Sequence, residues 1–314
     1  MVEVWTEKYR PETLEDIVNH EHVVERLKAF VEDESLPHLL FTGPAGTGKS
    51  ASSLAIAKDL FGEKWRNNVL ELNASDTRGI DIIRNQVKDF ARSKAVGDVP
   101  FKIIILDEAD ALTPEAQHAL RRTMENYTET ARFILICNYS SKIIDPIRSR
   151  CSIFRFPRLE REDASVLLRE ICEEEEVSYD EEGLEAIFSV TRGDLRKSIN
   201  LLQSVSATGK EVTEEVVYEV SSQAKPDAVE GMLKNALDGK FTEARDRLQE
   251  LILEKGISGI DIIKEIHRQV YDLDIEEKRK VRLVEKMGEY EFRLDEGADE
   301  QIQLEALLAQ FASS

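Results

Sequence analysis

Eight consecutive residues in the first quarter of the chain have the types and spacing of a phosphate-binding loop. Residues 43–50 read Gly-Pro-Ala-Gly-Thr-Gly-Lys-Ser, which fits G-x-x-x-x-G-K-[ST] throughout. Glycines let successive backbone N–H groups turn toward an anion, and a helix that begins at the loop adds positive potential. Lys49 is expected to reach the β- and γ-phosphates of a nucleotide, and Ser50 to bind Mg²⁺. The predicted binding residues of the loop are Gly43, Pro44, Ala45, Gly46, Thr47, Gly48, Lys49 and Ser50.

Two adjacent carboxylates follow an apolar run farther along the chain. The run is 103–106, Ile-Ile-Ile-Leu, and Asp107 and Glu108 come directly after it. A buried strand delivers such residues to the carboxyl edge of a sheet, where ligands bind in wound α/β folds. There Asp107 would hold Mg²⁺, directly or through water, and Glu108 would polarise the attacking water as a general base. An acidic turn after a core strand is equally consistent with this segment alone, but the intact phosphate loop favours the catalytic interpretation and an ATPase rather than a kinase.

Further polar residues fall where a nucleotide site could use them. Asn138 ends the apolar run 133–137 and could orient the water or touch the γ-phosphate, although asparagine also favours turns at strand ends. Arg148 and Arg150 could each supply an arginine finger, to this chain's own site or to a neighbour's, or could be ordinary surface arginines. Arg196 opens a predicted helix and could reach nucleotide from a second domain.

A basic stripe on a predicted amphipathic helix is the candidate nucleic-acid surface. Arg84, Lys88 and Arg92 recur at i, i+4 and i+8, and residues 78–94 hold a net excess of three positive charges in an acidic chain. A helix that begins near Gly79 could hold a backbone phosphate. No aromatic residues interleave with the basic ones, so base stacking is not predicted. A solvated basic face explains the spacing about as well.

Short apolar runs alternate with helical patterns through the first half of the chain. The runs are apolar throughout rather than alternating, which is typical of parallel strands covered on both faces. Strands separated by helical patterns predict a right-handed α/β fold, a parallel sheet with helices on both faces. The predicted strands are 38–42, 68–72, 101–106 and 132–137, and a predicted helix covers 51–60.

Strand signals nearly vanish after residue 160. Residues 160–222 predict three or four short helices, and Pro226 marks a boundary because proline disfavours helix in the residue before it. Amphipathic helices continue to the end of the chain. The predicted organisation is a P-loop α/β domain over 1–159, a small helical lid domain over 160–224 and an all-α collar, or oligomerisation, domain over 225–314.

The charge of the chain excludes a globally basic nucleic-acid binder. Its 314 residues carry 42 Lys/Arg against 62 Asp/Glu, and 41% are hydrophobic, as in ordinary globular proteins. Residues 1–157 have a net charge of −3 and residues 158–314 a net charge of −17, so a polyanion would bind the first half. The apolar runs are too short to span a bilayer, and the amino terminus shows no signal peptide. Three cysteines without paired spacing predict neither a disulfide framework nor a four-ligand zinc site.

Seven short segments in a fixed order carry a family resemblance. They are Trp-Thr-Glu-Lys-Tyr-Arg-Pro at 5–11, the phosphate loop at 43–50, Asn-Ala-Ser-Asp at 73–76, Leu-Asp-Glu-Ala-Asp at 106–110, Ala-Leu-Arg-Arg-Thr-Met-Glu at 119–125, Cys-Asn-Tyr at 137–139 and Ser-Arg-Cys at 149–151. Together they resemble the small subunits of replication factor C, the AAA+ sliding-clamp loader of archaea and eukaryotes. The first and last of these motifs are quite specific to clamp loaders. The similarity runs the whole length, and the short chain indicates a small rather than a large subunit.

The resemblance implies roles for individual residues. It makes Arg150 the arginine finger that acts in trans on a neighbour's ATP, Asn138 the sensor at the γ-phosphate and Arg196 the sensor from the lid. Thr6 stands where an apolar residue is expected, and Asn19-His20 replaces the usual glycine-containing pair. The residues implied around adenine and ribose are Thr6, Tyr9, Arg10, Pro11 and Val18. Those implied at DNA are Thr77, Arg78, Arg84, Lys88 and Lys142.

The function that the resemblance implies is clamp loading in DNA replication, driven by ATP and Mg²⁺. ATP would bind at junctions of a ring-like pentamer of large and small subunits, which opens the clamp PCNA and tracks primer–template DNA through its phosphates. Such a protein would act in the cytoplasm of an archaeon or the nucleus of a eukaryote, without zinc and away from membranes. Two alternatives stay open: a non-catalytic ring subunit, which the intact phosphate loop and acidic pair disfavour, and another DNA-acting AAA+ motor such as a branch-migration helicase.

Overall fold

The computed structural model describes residues 4–76 and 80–313 of the chain. Thr77 and Arg78, two of the expected DNA contacts, lie outside the described residues. The chain divides into two compact units, the first made of Met1–Ser178 with Ile187–Gln203 and the second of Tyr179–Ala186 with Ser204–Ser314. None of the helices in the described parts of the chain is both long enough and apolar enough to cross a membrane.

A five-stranded sheet forms the centre of the first unit. Its strands are β1 His38–Thr42, β2 Val69–Asn73, β3 Lys102–Asp107, β4 Ala131–Cys137 and β5 Cys151–Arg155. The order is β2-β3-β4-β1-β5, and every pairing is parallel. The carboxyl ends of all five strands therefore share one edge, where the phosphate loop follows β1, Asp107 ends β3 with Glu108 after it, and Asn138 follows β4.

Alternate residues of the central strands pack on opposite faces of the sheet. Leu39 and Phe41 join the hydrophobic core on one face, whereas Leu40, Ile104 and Leu106 join the core on the other. All five side chains are at most 1% exposed. Burial on both faces explains why these strands are apolar throughout, and it confirms the predicted α/β sheet.

Helices cover both faces of this sheet. Those of the first unit are α1 Trp5–Lys8, α2 Glu21–Glu32, α3 Lys49–Phe61, α4 Trp65–Asn68, α5 Ile80–Ile82, α6 Lys88–Arg92, α7 Pro114–Asn126, α8 Asp145–Arg148 and α9 Arg161–Glu174. Helices α2 and α3 pack on one face, and α7 packs on the other. The start of α7 has a clear local cause, because the Thr113 side chain accepts a hydrogen bond from the Ala116 N–H and Pro114 takes the first helical position.

The second unit is built from helices packed around a core of its own. Two helices, α10 Glu181–Thr191 and α11 Leu195–Ser206, each contribute residues to both units. The others are α12 Glu214–Ser221, α13 Pro226–Leu237, α14 Phe241–Gln249, α15 Gly259–Gln269, α16 Glu277–Asp295 and α17 Glu300–Ala312. Leu233, Leu248, Ile266 and Leu308 are fully buried in this core. The helical character predicted after residue 160 is therefore confirmed.

Two local features were not predicted. Strand β5 is an edge strand whose side chains alternate between exposed Ile153 and buried Phe154, so it lacks the continuous apolar run that revealed the central strands. The segment Ile83–Val87 forms a π-helical turn between α5 and α6, which changes the spacing of side chains along the helix. Ile83 and Val87 are nevertheless fully buried.

Candidate active site

The phosphate loop joins the carboxyl end of β1 to the start of α3. Gly48 is the N-cap of α3, and no side chain caps the first N–H groups of this helix. A Cβ at Gly43 would lie 2.0 Å from the carbonyl oxygen of Phe156, and a Cβ at Gly46 would lie 1.9 Å from Asp194 Oδ1. Only glycine fits either approach. The loop is thus packed tightly from behind, while the N–H groups of the helix start are available to an anion.

Lys49 reaches back across the phosphate loop. Its Nζ lies 2.8 Å from the carbonyl oxygen of Gly43, 2.5 Å from that of Pro44 and 3.4 Å from Asn138 Oδ1. The residue is 6% exposed, and burial lowers the pKa of its ammonium, an effect that the Asp107 carboxylate opposes. None of the three acceptors carries a formal charge. A phosphate oxygen would therefore give this ammonium a stronger, charge-assisted hydrogen bond, which fits the predicted role.

Ser50 and Asp107 meet directly although they are far apart in sequence. Ser50 Oγ donates a hydrogen bond to Asp107 Oδ2 over 2.6 Å, and Asp107 Oδ1 accepts one from the Glu108 N–H over 2.8 Å. A hydroxyl and a carboxylate in contact are oxygen ligands of the kind that Mg²⁺ prefers. The pair therefore fits the metal that the sequence predicts here.

Glu108 has an unusual backbone conformation. Its φ of 52° and ψ of 38° lie in the left-handed region, which is costly for a residue with a Cβ. Such residues cluster at functional sites because the surrounding structure holds them in place. The Glu108 side chain is exposed at the carboxyl edge of the sheet, where a general base would have to stand.

A pocket opens beside the loop and is lined in part by the amino-terminal segment. Its lining includes every residue that the family resemblance implied for the adenosine, namely Thr6, Tyr9, Arg10, Pro11 and Val18. The segment is tied down by Glu175, whose Oε1 accepts hydrogen bonds from the Tyr9 hydroxyl at 2.8 Å and from Lys8 Nζ at 2.7 Å. Burial and the hydrogen bond to Glu175 raise the pKa of Tyr9 to about 12, so its hydroxyl stays protonated.

Arg196 lies in the same pocket. It is the second residue of α11, its side chain is exposed, and it has no hydrogen bond or ion pair with any residue in the described parts of the chain. The backbone N–H of Leu195 donates to the carbonyl oxygen of Gly46 over 3.0 Å, so the start of α11 is attached to the phosphate loop. The position fits a side chain that senses bound nucleotide, although that role stays a prediction.

The structure brings together more residues than the sequence analysis named. The lining also contains apolar side chains of Ile17, Leu167, Leu195 and Ile199. Leu167 and Ile199 recur at helical spacing like core residues, so no sequence signal separates them from the core. Of the predicted loop residues, Gly46 through Ser50 line the pocket. Gly43 and Pro44 instead bind Lys49 through their carbonyls, and Ala45 is exposed.

Asn19 and His20 both adopt a backbone conformation that glycine reaches more easily than other residues. Both residues have left-handed backbones, with φ values of 60° and 71°. Asn19 Nδ2 donates to Asp163 Oδ2 over 2.5 Å. His20 is 1% exposed, and its Nε2 lies 3.2 Å from the carbonyl oxygen of Thr47 in the phosphate loop. The two side chains thus connect this turn to α9 and to the phosphate loop.

Arg150 lies far from this chain's own phosphate loop. It immediately precedes Cys151, which pairs in register with His38 at the amino end of β1, whereas the loop follows the carboxyl end of β1. At about 3.3 Å per residue, the two are separated by roughly 15–20 Å along the sheet. Arg150 forms an ion pair with Glu125 over 2.5 Å and donates to the carbonyl oxygen of Pro146 over 2.6 Å. Arg150 is therefore too far from the phosphate loop of its own chain to contact a nucleotide there. Its position is compatible with a contact to nucleotide bound by a neighbouring copy.

The described candidates for DNA contact are all exposed. Arg84 lies in the π-helical turn, Lys88 begins α6, and Lys142 extends over the ring of Tyr139 with Nζ 5.1 Å from the centroid. Both basic elements are fixed to α7. Buried residues of 83–91 share a core with α7, and Gln117 of α7 donates to the carbonyl oxygen of Lys142 over 3.0 Å.

Archaeal relatives match nearly the whole chain. A replication factor C small subunit from Methanococcus maripaludis is 55% identical over 309 residues, which is 98% of each chain. One from Halobacterium salinarum is 53% identical over 99% of this chain and 96% of its own. The chain belongs to the replication factor C small-subunit family. Membership confirms the family resemblance, the ATPase class and the role as a clamp-loader subunit in DNA replication.

Three family models divide this replication factor C small-subunit chain in the expected order. Residues 39–159 match the ATPase family associated with various cellular activities, 166–207 match an RCF1/5-like AAA+ ATPase lid domain, and 224–310 match the replication factor C C-terminal domain. The predicted order along the chain, an α/β part, then a lid, then a C-terminal helical part, is therefore confirmed.

Solved structures of a different AAA+ protein share the fold. The Thermotoga maritima RuvB Holliday junction branch migration motor superposes with a TM-score of 0.57 at 16% identity, over 79% of this chain and 88% of RuvB. Similarity at this level shows the fold alone. The identity of 53–55% to replication factor C small subunits, which extends over nearly the whole chain, favours clamp loading over branch migration.

Proposed function

We propose that this chain binds ATP and Mg²⁺ at the phosphate loop and hydrolyses the ATP in order to load PCNA onto primer–template DNA. It would do so within a ring-like pentamer that also contains the replication factor C large subunit and further small subunits. The observation that carries the proposal is the convergence at one sheet edge of Lys49 with Asn138 and of Ser50 with Asp107. These contacts join segments that lie 57 to 89 positions apart in the chain.

Binding would use the pocket and the loop together. Adenine and ribose would lie against the amino-terminal segment, between Tyr9, Val18 and the apolar side chains of the opposite wall. The phosphates would meet the N–H groups at the start of α3 and the Lys49 ammonium. When bound with the nucleotide, Mg²⁺ would neutralise phosphate charge next to Ser50 and Asp107.

Hydrolysis would depend on three side chains at the same edge. Glu108 would accept a proton from the attacking water, and Asn138 would orient that water or the γ-phosphate. Arg196 would report the state of the nucleotide to α11, since it projects into the pocket from that helix. The Glu108 side chain is exposed, so water would reach its carboxylate without a movement of that side chain.

The arginine finger would come from the adjacent subunit. Arg150 and the phosphate loop lie at opposite edges of one sheet, so head-to-tail packing of two copies can bring one copy's Arg150 to the other's ATP. A guanidinium there would stabilise charge in the transition state. Hydrolysis would then require assembly, which links the chemistry to the state of the ring.

DNA would be held through its phosphates. Arg84, Lys88 and Lys142 offer exposed cations on elements attached to α7, and Thr77 and Arg78 precede them in the chain. Contacts of this kind position a duplex without reading its sequence, as a loader that acts at any primer end requires. Such a protein works where the chromosome is, in the cytoplasm of an archaeal cell or the nucleus of a eukaryotic one.

The Glu108→Gln variant tests the catalytic part of the proposal. In the assembled complex with large subunit, PCNA and primed DNA, the variant should keep ATP affinity within about twofold and lose at least ~99% of the turnover contributed by its sites, because the amide cannot accept the proton. The measurements are equilibrium ATP binding and steady-state phosphate release. Glu115→Gln, an exposed carboxylate in the first turn of α7, is the matched control and should leave turnover unchanged.

Two outcomes would overturn the proposal. Unchanged turnover in the Glu108→Gln complex would remove the general base and favour the non-catalytic ring subunit. ATP-driven strand translocation on branched DNA, with no clamp loading, would favour a DNA motor of the branch-migration class.

A further inference from the structure

Several carbonyl groups of the phosphate loop accept hydrogen bonds that fix their direction. Lys49 Nζ holds those of Gly43 and Pro44, and the N–H of Leu195 holds that of Gly46. The carbonyl oxygen of Thr47 accepts from His20 Nε2 over 3.2 Å. The hydroxyls of Ser52 and Ser53 in α3 donate to the carbonyl oxygens of Gly48 and Ser50. His20 thus holds a loop carbonyl with its side chain from a segment outside the loop, α3 and α11.

A held carbonyl also fixes the N–H group of the same peptide unit. The peptide bond is planar and trans, so the C=O of one residue and the N–H of the next point in opposite directions. Holding the Thr47 oxygen toward His20 therefore turns the N–H of Gly48 away from His20. Gly48 lines the pocket, whereas His20 is not one of the described residues that line it. Gly48 needs such a hold because glycine is conformationally permissive and its peptide units can rotate at little cost.

The surroundings of His20 suit a fixed, neutral donor. Its ring is 1% exposed and stands edge-on to Phe156, with 5.1 Å between the ring centroids. The main chain is anchored because the carbonyl oxygen of His20 accepts from the N–H groups of Val23 and Val24 at the start of α2. A carbonyl can only accept, so Nε2 carries the proton, while Nδ1 is buried without a partner among the described residues. A ring anchored in this way keeps its donor aimed at the loop.

We propose that His20 is a positioning residue for nucleotide binding, which aims the Gly48 N–H at the β-phosphate by holding the Thr47 carbonyl through Nε2. This inference rests on the proposed binding of ATP at the loop and adds a residue from outside the phosphate-loop motif to that site. The geometry specifies what the position needs. It needs a donor at the distance of His Nε2 from the backbone, and it does not need charge, aromaticity or acid–base chemistry at that donor.

Two amide substitutions test whether the length of the side chain at position 20 decides nucleotide binding, because both lack the charge and aromaticity of histidine. His20→Gln places an amide donor near the position of Nε2, whereas His20→Asn carries the same amide one methylene short of Thr47. Asparagine also tolerates the left-handed backbone at this position, so strain does not explain a loss in that variant. Each protein is titrated with ATP, ADP and AMP in excess Mg²⁺, in competition with a fluorescent ATP analogue.

The expected result is a loss that is confined to nucleotides with a β-phosphate. His20→Asn should bind ATP and ADP about fivefold to tenfold more weakly, the size expected for one positioned hydrogen bond, and should bind AMP as the unaltered protein does. His20→Gln should stay within about twofold for all three. Thermal unfolding without nucleotide is measured in parallel, because a merely structural role would lower stability without separating ADP from AMP.

The outcomes distinguish this inference from the function on which it rests. Equal loss for AMP and ADP, or unchanged ADP affinity in folded His20→Asn, would overturn the role of His20 and leave ATP binding at the loop intact. A Lys49→Ala variant is titrated beside them. If it bound ATP as tightly as the unaltered protein, the proposed nucleotide site itself would fail.

Discussion

The histidine at the start of β1 shows how a buried residue controls the stability of the sheet that carries the site. His38 is 7% exposed, and its Nδ1 accepts a hydrogen bond from the Phe133 N–H over 3.2 Å, which links the amino ends of β1 and β4. Nδ1 must be unprotonated to accept that bond. Burial and the Arg132 charge together lower the pKa of His38 to about 4, against the opposing effect of the Met124 carbonyl. The imidazole is therefore neutral at physiological pH.

We expect His38 to make the fold less stable as the solution becomes acidic. In the unfolded chain its pKa is near 6.5, so the unfolded state takes up the proton first and the free energy of unfolding falls as pH falls from 6.5 toward 4. The contribution lost between pH 7 and pH 5 is about 2 kcal/mol, at 1.36 kcal/mol per pH unit below 6.5. Urea unfolding at pH 7, 6 and 5 measures it.

The His38→Asn variant isolates this residue from other titrating groups. Its Oδ1 can accept the same N–H but cannot be protonated in this range, while carboxylates and the buried His20, whose pKa burial also lowers, titrate in both proteins. The difference in unfolding free energy between the two proteins should therefore shrink on acidification. A difference that stays constant from pH 7 to pH 5 would contradict the assignment.

Helix α7 follows the acidic pair in the chain and contacts the segments that carry Arg84 and Lys142. It begins six residues after Glu108. Gln117, the fourth residue of this helix, accepts from the Ile144 N–H over 2.9 Å and donates to the Lys142 carbonyl. Leu120, also on α7, shares a core with the segment that carries Arg84. DNA bound at either basic element would therefore contact a segment that packs against α7.

We expect charge reversal at Arg84 to weaken the effect of DNA on the ATPase. Arg84→Glu should lower DNA affinity several-fold at low salt, reduce DNA-stimulated turnover more than basal turnover, and reduce the slope of log affinity against log salt by about 1, the loss of one phosphate contact. Fluorescence anisotropy over a series of salt concentrations measures the affinity.

A lysine of the second unit provides the comparison. Lys210 is exposed in the loop after α11, and Lys210→Glu makes the same change in net charge without removing a predicted DNA contact. If Arg84→Glu and Lys210→Glu behave alike, the effect comes from net charge, and the basic stripe is a solvated face.

At the scale of the whole molecule, the phosphate loop and the proposed arginine finger lie at opposite ends of the strands of one sheet. The phosphate loop follows the carboxyl end of β1, and Arg150 precedes the amino end of β5, so a single chain does not bring them together. Under the proposed trans role, complete sites would form only when copies associate.

We expect Arg150→Ala to separate binding from turnover. The isolated chain should keep its ATP affinity within about twofold, and the assembled complex should lose at least tenfold in turnover, because arginine fingers elsewhere contribute ~10³-fold or more. Arg66→Ala, which removes an exposed arginine beside Trp65, should change neither quantity. Equal loss of ATP affinity in the isolated chain and the complex would show that Arg150 serves its own site.

Much of the candidate site could be predicted from local patterns in the sequence. The phosphate loop and the acidic pair are contiguous motifs whose chemistry depends on residue types and spacing, and the central strands are continuous apolar runs. The walls of the pocket were harder to predict, because Leu167 and Ile199 have the spacing of core residues. The edge strand β5 was not predicted because it lacks a continuous apolar run. Asn19 and His20 stood out only as departures from a family pattern, and their backbone conformation was not predictable from that.

The residue order alone determined which groups are present and on which kind of element each lies, because helix, strand and loop signals are local in sequence. Only the tertiary structure decided which of them meet. Ser50 contacts Asp107 and Lys49 contacts Asn138 because β1 lies beside β4, and β4 beside β3, a strand order that depends on long-range packing. The same order carries Arg150 away from its own loop, and the turn before α2 places His20 behind Thr47.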